Sequence, residues 1–157
     1  MNFSKKSLTS FSLVCAMLLT SIGTFAQSSL VGKWKTKDDE TGRIKSIVEI
    51  TERDGKYYGQ LIELFRLPDE DPDPICDKCD DDDDRKDQKI LGMEIVRDME
   101  LTKGETSEWK EGTIMDPKKG SIYDCEMWFE DGNTDVLKVR GYIWIVFRTQ
   151  EWYRVTE

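Results

Sequence analysis

Apolar and polar residues alternate along most of this chain, and the alternation has the period of a strand. Ile44, Ser46, Val48 and Ile50 fall on one side of a short segment, and Arg43, Lys45, Ile47 and Glu49 on the other. Successive side chains on a strand point to opposite faces, so one face here is mainly apolar. Arg53-Asp54-Gly55 follows, and Asp-Gly is a strong hairpin signal. Lys56 to Phe65, rich in aromatic and branched residues, predicts the return strand. An acidic stretch interrupts before a strand-like pattern resumes from Ile90 to Met99, with Lys103-Gly104 as its turn. Trp109 to Met115 comes next, closed by Asp116-Pro117-Lys118-Lys119-Gly120, where Pro fixes φ and Gly frees it. Ser121 to Phe129, Thr134 to Tyr142 and Trp144 to Val155 complete the pattern, with Asp131-Gly132-Asn133 turning the chain between the first two. With the strand opened by Gly32-Lys33-Trp34, the total is about eight. Helical periodicity, internal repeats and Gly/Ser linkers are all missing.

Consecutive hairpins predict an all-β antiparallel meander. Such a sheet removes its exposed edges by closing on itself, so an up-and-down β-barrel is the expected architecture and an open sandwich the alternative. In a closed meander the first and last strands become neighbours. Trp34 is then placed to plug one end, with the guanidinium of Arg154 across its face, a contact of about 1 kcal/mol. Arg148 competes for that role, and the simpler reading makes Trp34 a core aromatic only.

The N-terminus changes the picture of compartment. Lys5 and Lys6, the apolar run from Leu8 to Ile22, and Thr24-Phe25-Ala26 have the anatomy of a cleaved secretory signal. The expected division is therefore a leader over residues 1–26 and a single barrel domain over 27–157. The expected location is outside the cytoplasm, periplasmic or extracellular. Cys15 lies in the apolar run, but Val14 is too bulky for the usual lipoprotein cleavage. The formal charge is −9 before cleavage and becomes −11 once Lys5 and Lys6 leave (−9 − 2). A chain this acidic repels phosphate backbones and anionic lipid surfaces, which argues against nucleic-acid partners. No other apolar run is long enough for membrane insertion by a helix.

Several motifs, taken in order, resemble one known group. They are Gly32-x-Trp34, Tyr58-Gly59-Gln60, Leu91-Gly92, Trp109-x-x-Gly112 with Asp116-Pro117, and Gly120-x-x-Tyr123. Leu137-x-Val139-Arg140-Gly141-Tyr142 and Thr149-x-x-Trp152-x-Arg154 follow. The chain resembles the bacterial exported-protein family catalogued as domain of unknown function 2147. That resemblance implies a barrel like those of the lipocalin group, and it implies no agreed activity, substrate or catalytic residue. The sequence departs from the pattern at Trp144, where a small residue is expected, and in the cysteine-bearing loop from Asp69 to Asp87.

The residue inventory narrows the chemistry. The chain has no histidine, which removes Ser-His-Asp and Cys-His catalysis and most zinc hydrolase sites. It carries neither common Gly-rich phosphate loop. Glu126 shares a strand face with Asp124, Trp128 and Glu130, the face expected to be wet, and Cys125 lies on the opposite, apolar face. No enzyme is expected.

The stretch CDKCDDDDD, Cys76 to Asp84, is the other candidate. Aspartates around the sulfurs disfavour a thiolate, so redox catalysis is disfavoured. A structural zinc site wants four ligands, and only one Cys-x-x-Cys pair exists. Calcium suits carboxylates better, but Pro74 stands where an EF-hand loop needs glycine. What is left for calcium is a looser site using Asp80, Asp82 and Asp84. The simpler expectation is a Cys76–Cys79 disulfide pinning a solvated acidic loop, with Cys125 pairing or free thiols as alternatives.

Two functions fit this reading. The first is a non-enzymatic module holding a small apolar or amphipathic ligand inside the barrel, with no cofactor. Tyr58, Trp109 and Trp128 offer it aromatic surface, and Arg140 and Tyr142 a polar pocket mouth. The second is an envelope or extracellular interaction protein that uses the acidic loop, with or without calcium, to engage a protein partner.

Overall fold

The computed structural model describes residues 29–156, so the expected leader over residues 1–26 lies outside the described residues. Eight strands follow one another: β1 (Gly32–Lys37), β2 (Ile44–Arg53), β3 (Lys56–Leu64), β4 (Glu94–Leu101), β5 (Glu108–Asp116), β6 (Ser121–Phe129), β7 (Val136–Ile143) and β8 (Val146–Arg154). Each pairs antiparallel with its neighbour in the chain, and β1 pairs with β8, so the sheet is a closed up-and-down barrel. That seam overturns the open-sandwich alternative. It is short: Trp34 pairs with Arg154 and Lys35 with Tyr153. By contrast, β7 and β8 stay in register from Val136–Tyr153 to Ile143–Val146.

Side-chain alternation fills the barrel as the pattern requires. Ser46, Val48 and Ile50 of β2, Cys125, Met127 and Phe129 of β6, and Leu137 and Val139 of β7 are all buried. Of the register shifts in the sheet, two lie beside residues of left-handed φ. The β5–β6 register shifts between Trp109 and Gly112, and the β3–β4 register shifts between Tyr57 and Gly59. Asp98 and Glu111 have left-handed φ of 58° and 63°. An extra residue at a bulge flips the faces beyond it and tightens the bend. Gly112 fits this crowded corner because a Cβ there would lie 2.5 Å from the Arg97 carbonyl oxygen and 2.5 Å from the Met99 sulfur.

Several strand ends shift by a residue or two from the sequence reading, and two starts are instructive. The strand expected from Ile90 begins at Glu94, and Ile90 belongs to the long connection after β3. The strand expected from Trp144 begins at Val146, because Trp144-Ile145 is the hairpin turn. No Gly, Asn or Asp marks that corner, yet Trp144 takes φ 58°, a region that favours small residues. Its indole is 93% exposed at the tip.

The long connection is a strap whose aspartates Asp80, Asp81, Asp82 and Asp84 are exposed while a few of its side chains are anchored against the barrel. Cys76 and Cys79 form a disulfide, and both are buried. Cys125 is a free, buried thiol, so pairing through it is overturned. The strap backbone lies against the β5–β6 turn: a Cβ on Gly120 would meet the Lys78 carbonyl oxygen at 1.8 Å. Within this acidic loop Arg85 is an exception, at 6% exposed. Its guanidinium donates from Nε to Asp83 Oδ1 at 2.8 Å and from Nη2 to Asp83 Oδ2 at 2.7 Å. A third bond, from Nη1, reaches the Glu94 carbonyl at the start of β4 at 3.3 Å.

Candidate functional site

The two ends of the barrel are built differently. At one end the chain packs aromatic rings into a floor. The rings of Trp34 and Phe129 lie 5.9 Å apart, Trp109 meets Phe129 edge-on at 5.5 Å, and Tyr57 meets Trp109 edge-on at 6.0 Å. Such edge contacts suit the ring quadrupoles. Trp34 Nε1 donates to the Leu30 carbonyl at 3.0 Å.

Arg154 covers this floor. Its guanidinium carbon sits 4.2 Å from the Trp34 ring centroid. Nε donates to the Thr134 carbonyl at 2.9 Å and Nη2 to the Ser29 carbonyl at 2.9 Å, with a longer bond from Nη1 to Val31 at 3.4 Å. The structure thus brings Trp34 and Arg154 together at the seam, while Arg148 pairs with Asp39 at the other end. Gly32 leaves room for the guanidinium, since a Cβ there would lie 2.9 Å from Nη1.

The opposite end is open. A cavity of about 590 Å³ enters there, between the β1–β2 turn, the strap, the β5–β6 turn and the tip of the β7–β8 hairpin. Its depth is apolar, formed by Leu61, Ile95, Ile114, Met115, Val139 and Trp152. Its rim is charged, and each of its three carboxylates is tied to the backbone of its own turn. Asp38 accepts from Thr41 N at 3.0 Å, Glu70 from Leu67 N at 2.8 Å and Asp116 from Lys118 N at 3.0 Å. Arg43 and Arg66 each stand 3.7 Å from Glu70. The Leu67 N–H, followed by Arg66, Arg43 and Lys118, holds the Glu70 carboxyl below its usual range.

None of the five residues expected to contact a ligand lines this cavity. Trp128, Arg140 and Tyr142 alternate with buried Met127, Val139 and the cavity-lining Gly141, so they face outward. On the outside, Arg140 stacks 4.8 Å from the Trp128 centroid and 4.8 Å from that of Phe147. Its Nε donates to Thr149 Oγ1 at 2.9 Å. Arg140 and Tyr142 do border a shallow outer hollow of about 180 Å³ with Trp144, Ile145 and Phe147. Tyr58 also faces outward, under Arg53 at 3.7 Å, with its hydroxyl donating to Asp98 Oδ1 at 2.9 Å. Trp109 points inward but belongs to the aromatic floor.

The metal candidates are not brought together either. Arg97 grips Asp84 through Nη1 at 2.7 Å and Nη2 at 2.9 Å, while Asp80 and Asp82 are exposed. Among the described residues no three Cys, Asp or Glu side chains gather as a metal site. The aspartates nearest the barrel converge on guanidinium groups. The residues that sequence reasoning missed are the rim cations Arg43, Arg66 and Lys118, whose basic character inside an acidic chain was the available signal. Burial pushes the Cys125 thiol pKa well up, so it is not a nucleophile at neutral pH.

An eight-stranded up-and-down barrel, sealed at one end and hollow at the other, has a lipocalin-like fold. Protein HP1028 from the human pathogen Helicobacter pylori, which belongs to the lipocalin family, matches this fold with a TM-score of 0.67. The match covers 82% of this chain and 84% of that one at 17% identity, a likeness of fold. The profile of DUF2147, described as an uncharacterized protein conserved in bacteria, matches residues 32–154, and the chain belongs to this family. No curated protein sequence matches it.

Proposed function

We propose that this protein is a non-enzymatic carrier or binding module that holds one small amphipathic molecule in the barrel. The observation that carries this reading is the open cavity of about 590 Å³, apolar in its depth and charged at its rim. A volume of this size lies within the range of small-molecule sites, and apolar lining with a few placed polar groups is their usual composition. We further propose that it works outside the cytoplasm, periplasmic or extracellular. The leader pattern of residues 1–26 and the buried Cys76–Cys79 disulfide support that location, since disulfides persist in oxidising compartments.

Native mass spectrometry of protein purified from its own host tests the reading directly. A co-purifying molecule of a few hundred daltons, lost in a variant with a filled cavity, is the expected result. Repeated absence of any such mass, with no quenching of intrinsic tryptophan fluorescence by any amphiphile tried, overturns it. Trp152 in the cavity wall is the natural reporter.

A further inference from the structure

We propose that the occupant of the cavity is an anionic amphiphile, an apolar chain ending in a carboxylate or a phosphate. The inference rests on the binding-module reading and specifies the ligand's head. The whole chain has 32 acidic and 23 basic residues. The cavity lining reverses that balance, with seven basic side chains against three acidic ones. Lys37 is drawn over the Tyr153 ring at 3.7 Å, and Arg148 is paired with Asp39. Lys119 stands 4.0 Å from Asp116, and Arg43, Lys45, Arg66 and Lys118 are left around the mouth.

The chemistry of the two signs differs as well as their number. All three carboxylates already accept hydrogen bonds from backbone N–H groups of their own turns. They serve local structure and are poorly placed to receive a cationic head. The cations are under-matched. Arg43 and Arg66 share the single carboxylate of Glu70, and Lys118 bears on that carboxylate without an ion pair among the described residues. Three positive groups around one negative group leave a local surplus beside an apolar cavity. Low-dielectric walls strengthen the field of that surplus. Arg43 and Arg66 are also held in place by main-chain carbonyls, Phe65 for Arg43 and Asp71 for Arg66, the latter at 2.9 Å. A pre-positioned guanidinium matches both carboxylate and phosphate oxygens. An incoming anion would compete with Glu70 for these cations while its chain occupied the space between Leu61, Ile114 and Val139.

A chain-matched series tests the head. Dodecanoate, dodecyl phosphate, dodecanol and dodecyltrimethylammonium are titrated below their micelle concentrations, with Trp fluorescence and calorimetry as readouts. The anions are expected to bind about tenfold tighter than the alcohol at low salt, and the ammonium weakest. Preference for dodecanoate identifies a fatty-acid-like head, and preference for dodecyl phosphate a phospho-head; both support the proposal. Lys118→Glu should lower the ratio of anion to alcohol affinity. Glu70→Gln, which keeps an oxygen for the Leu67 N–H, should raise it. Equal binding of alcohol and anions, or ratios indifferent to both variants, overturns the anionic head and leaves the binding module standing. Failure of all four to bind overturns both.

Discussion

The two ends of this barrel use arginine in opposite ways. At the closed end Arg154 is consumed: an indole face and three main-chain carbonyls hold it, and burial lowers its pKa. At the open end Arg43 and Arg66 share one carboxylate with a lysine nearby. A cation whose donors are all spent inside the fold is architecture. A cation that shares its counter-charge can accept a further anion. The strap adds an intermediate case, since Arg85 is buried and held by Asp83 and the Glu94 carbonyl.

The contrast can be attacked most strongly at the floor. Trp34→Ala removes a fully buried ring and should cost about 3–5 kcal/mol in urea unfolding. A loss below about 1 kcal/mol would mean that the closed end does not anchor the barrel. Asp83→Asn comes next. Arg85 hydrogen bonds hold the Asp83 carboxyl at about 2, against an ordinary 3.8. The folded-state value is depressed, so the stabilisation is present above the unfolded value and disappears as pH falls through about 2. The difference corresponds to about 2 kcal/mol at neutral pH, and the variant should also lose the part of the acid slope between pH 4 and pH 2 that Asp83 contributes. Chemical unfolding at stepped pH checks both statements.

Smaller changes sharpen the comparison from the open side. Ile114→Trp places a larger side chain into empty space, so stability should change by about 1 kcal/mol or less. Ligand binding should vanish, as read by fluorescence titration. The same enlargement at Met127, buried in the body of the barrel, should destabilise outright by about 1–3 kcal/mol. The smallest effect expected is that of calcium. Because Asp83 and Asp84 are already held by arginines, millimolar calcium should leave the melting temperature unchanged. An upward shift of several degrees would restore Asp80 and Asp82 as ligands.

How much was legible beforehand follows from what each signal encodes. Hairpin turns at Asp54-Gly55, Lys119-Gly120 and Asp131-Gly132 are local, so the meander could be read from sequence; all six residues except Lys119 take left-handed φ. The Cys76–Cys79 bond was also legible, because three residues of separation bring the sulfurs close. The cavity was not. Its rim comes from segments far apart in the chain, Arg43, Arg66 and Lys118, which only closure gathers. The bulges at Asp98 and Glu111 reverse the faces of β4 and β5, and neither residue announces an extra position. Trp128 is a plainer case. It shares a face with Asp124 and Glu126, and parity alone placed it outside despite its aromatic ring. Arg85 follows the run of aspartates with no local signal of burial, and its burial depends on contacts with Asp83 and β4.

The seam between β1 and β8 also governs the timing of folding. Trp34 meets Arg154 across nearly the whole chain. Every other strand pair joins sequence neighbours, and all of these but β3–β4, which the strap separates, can zip as soon as their hairpin exists. The seam cannot. The floor residues near Trp34 come first in the chain and must wait, uncovered, until the segment carrying Trp152 and Arg154 is present to fold. A contact of such long sequence separation is costly to form early, so ring closure is expected to be the last event. Until then the nascent chain is an open sheet with two bare edges, the form most exposed to mispairing with other chains. The same residue that caps the finished molecule therefore also sets the moment at which that vulnerability ends.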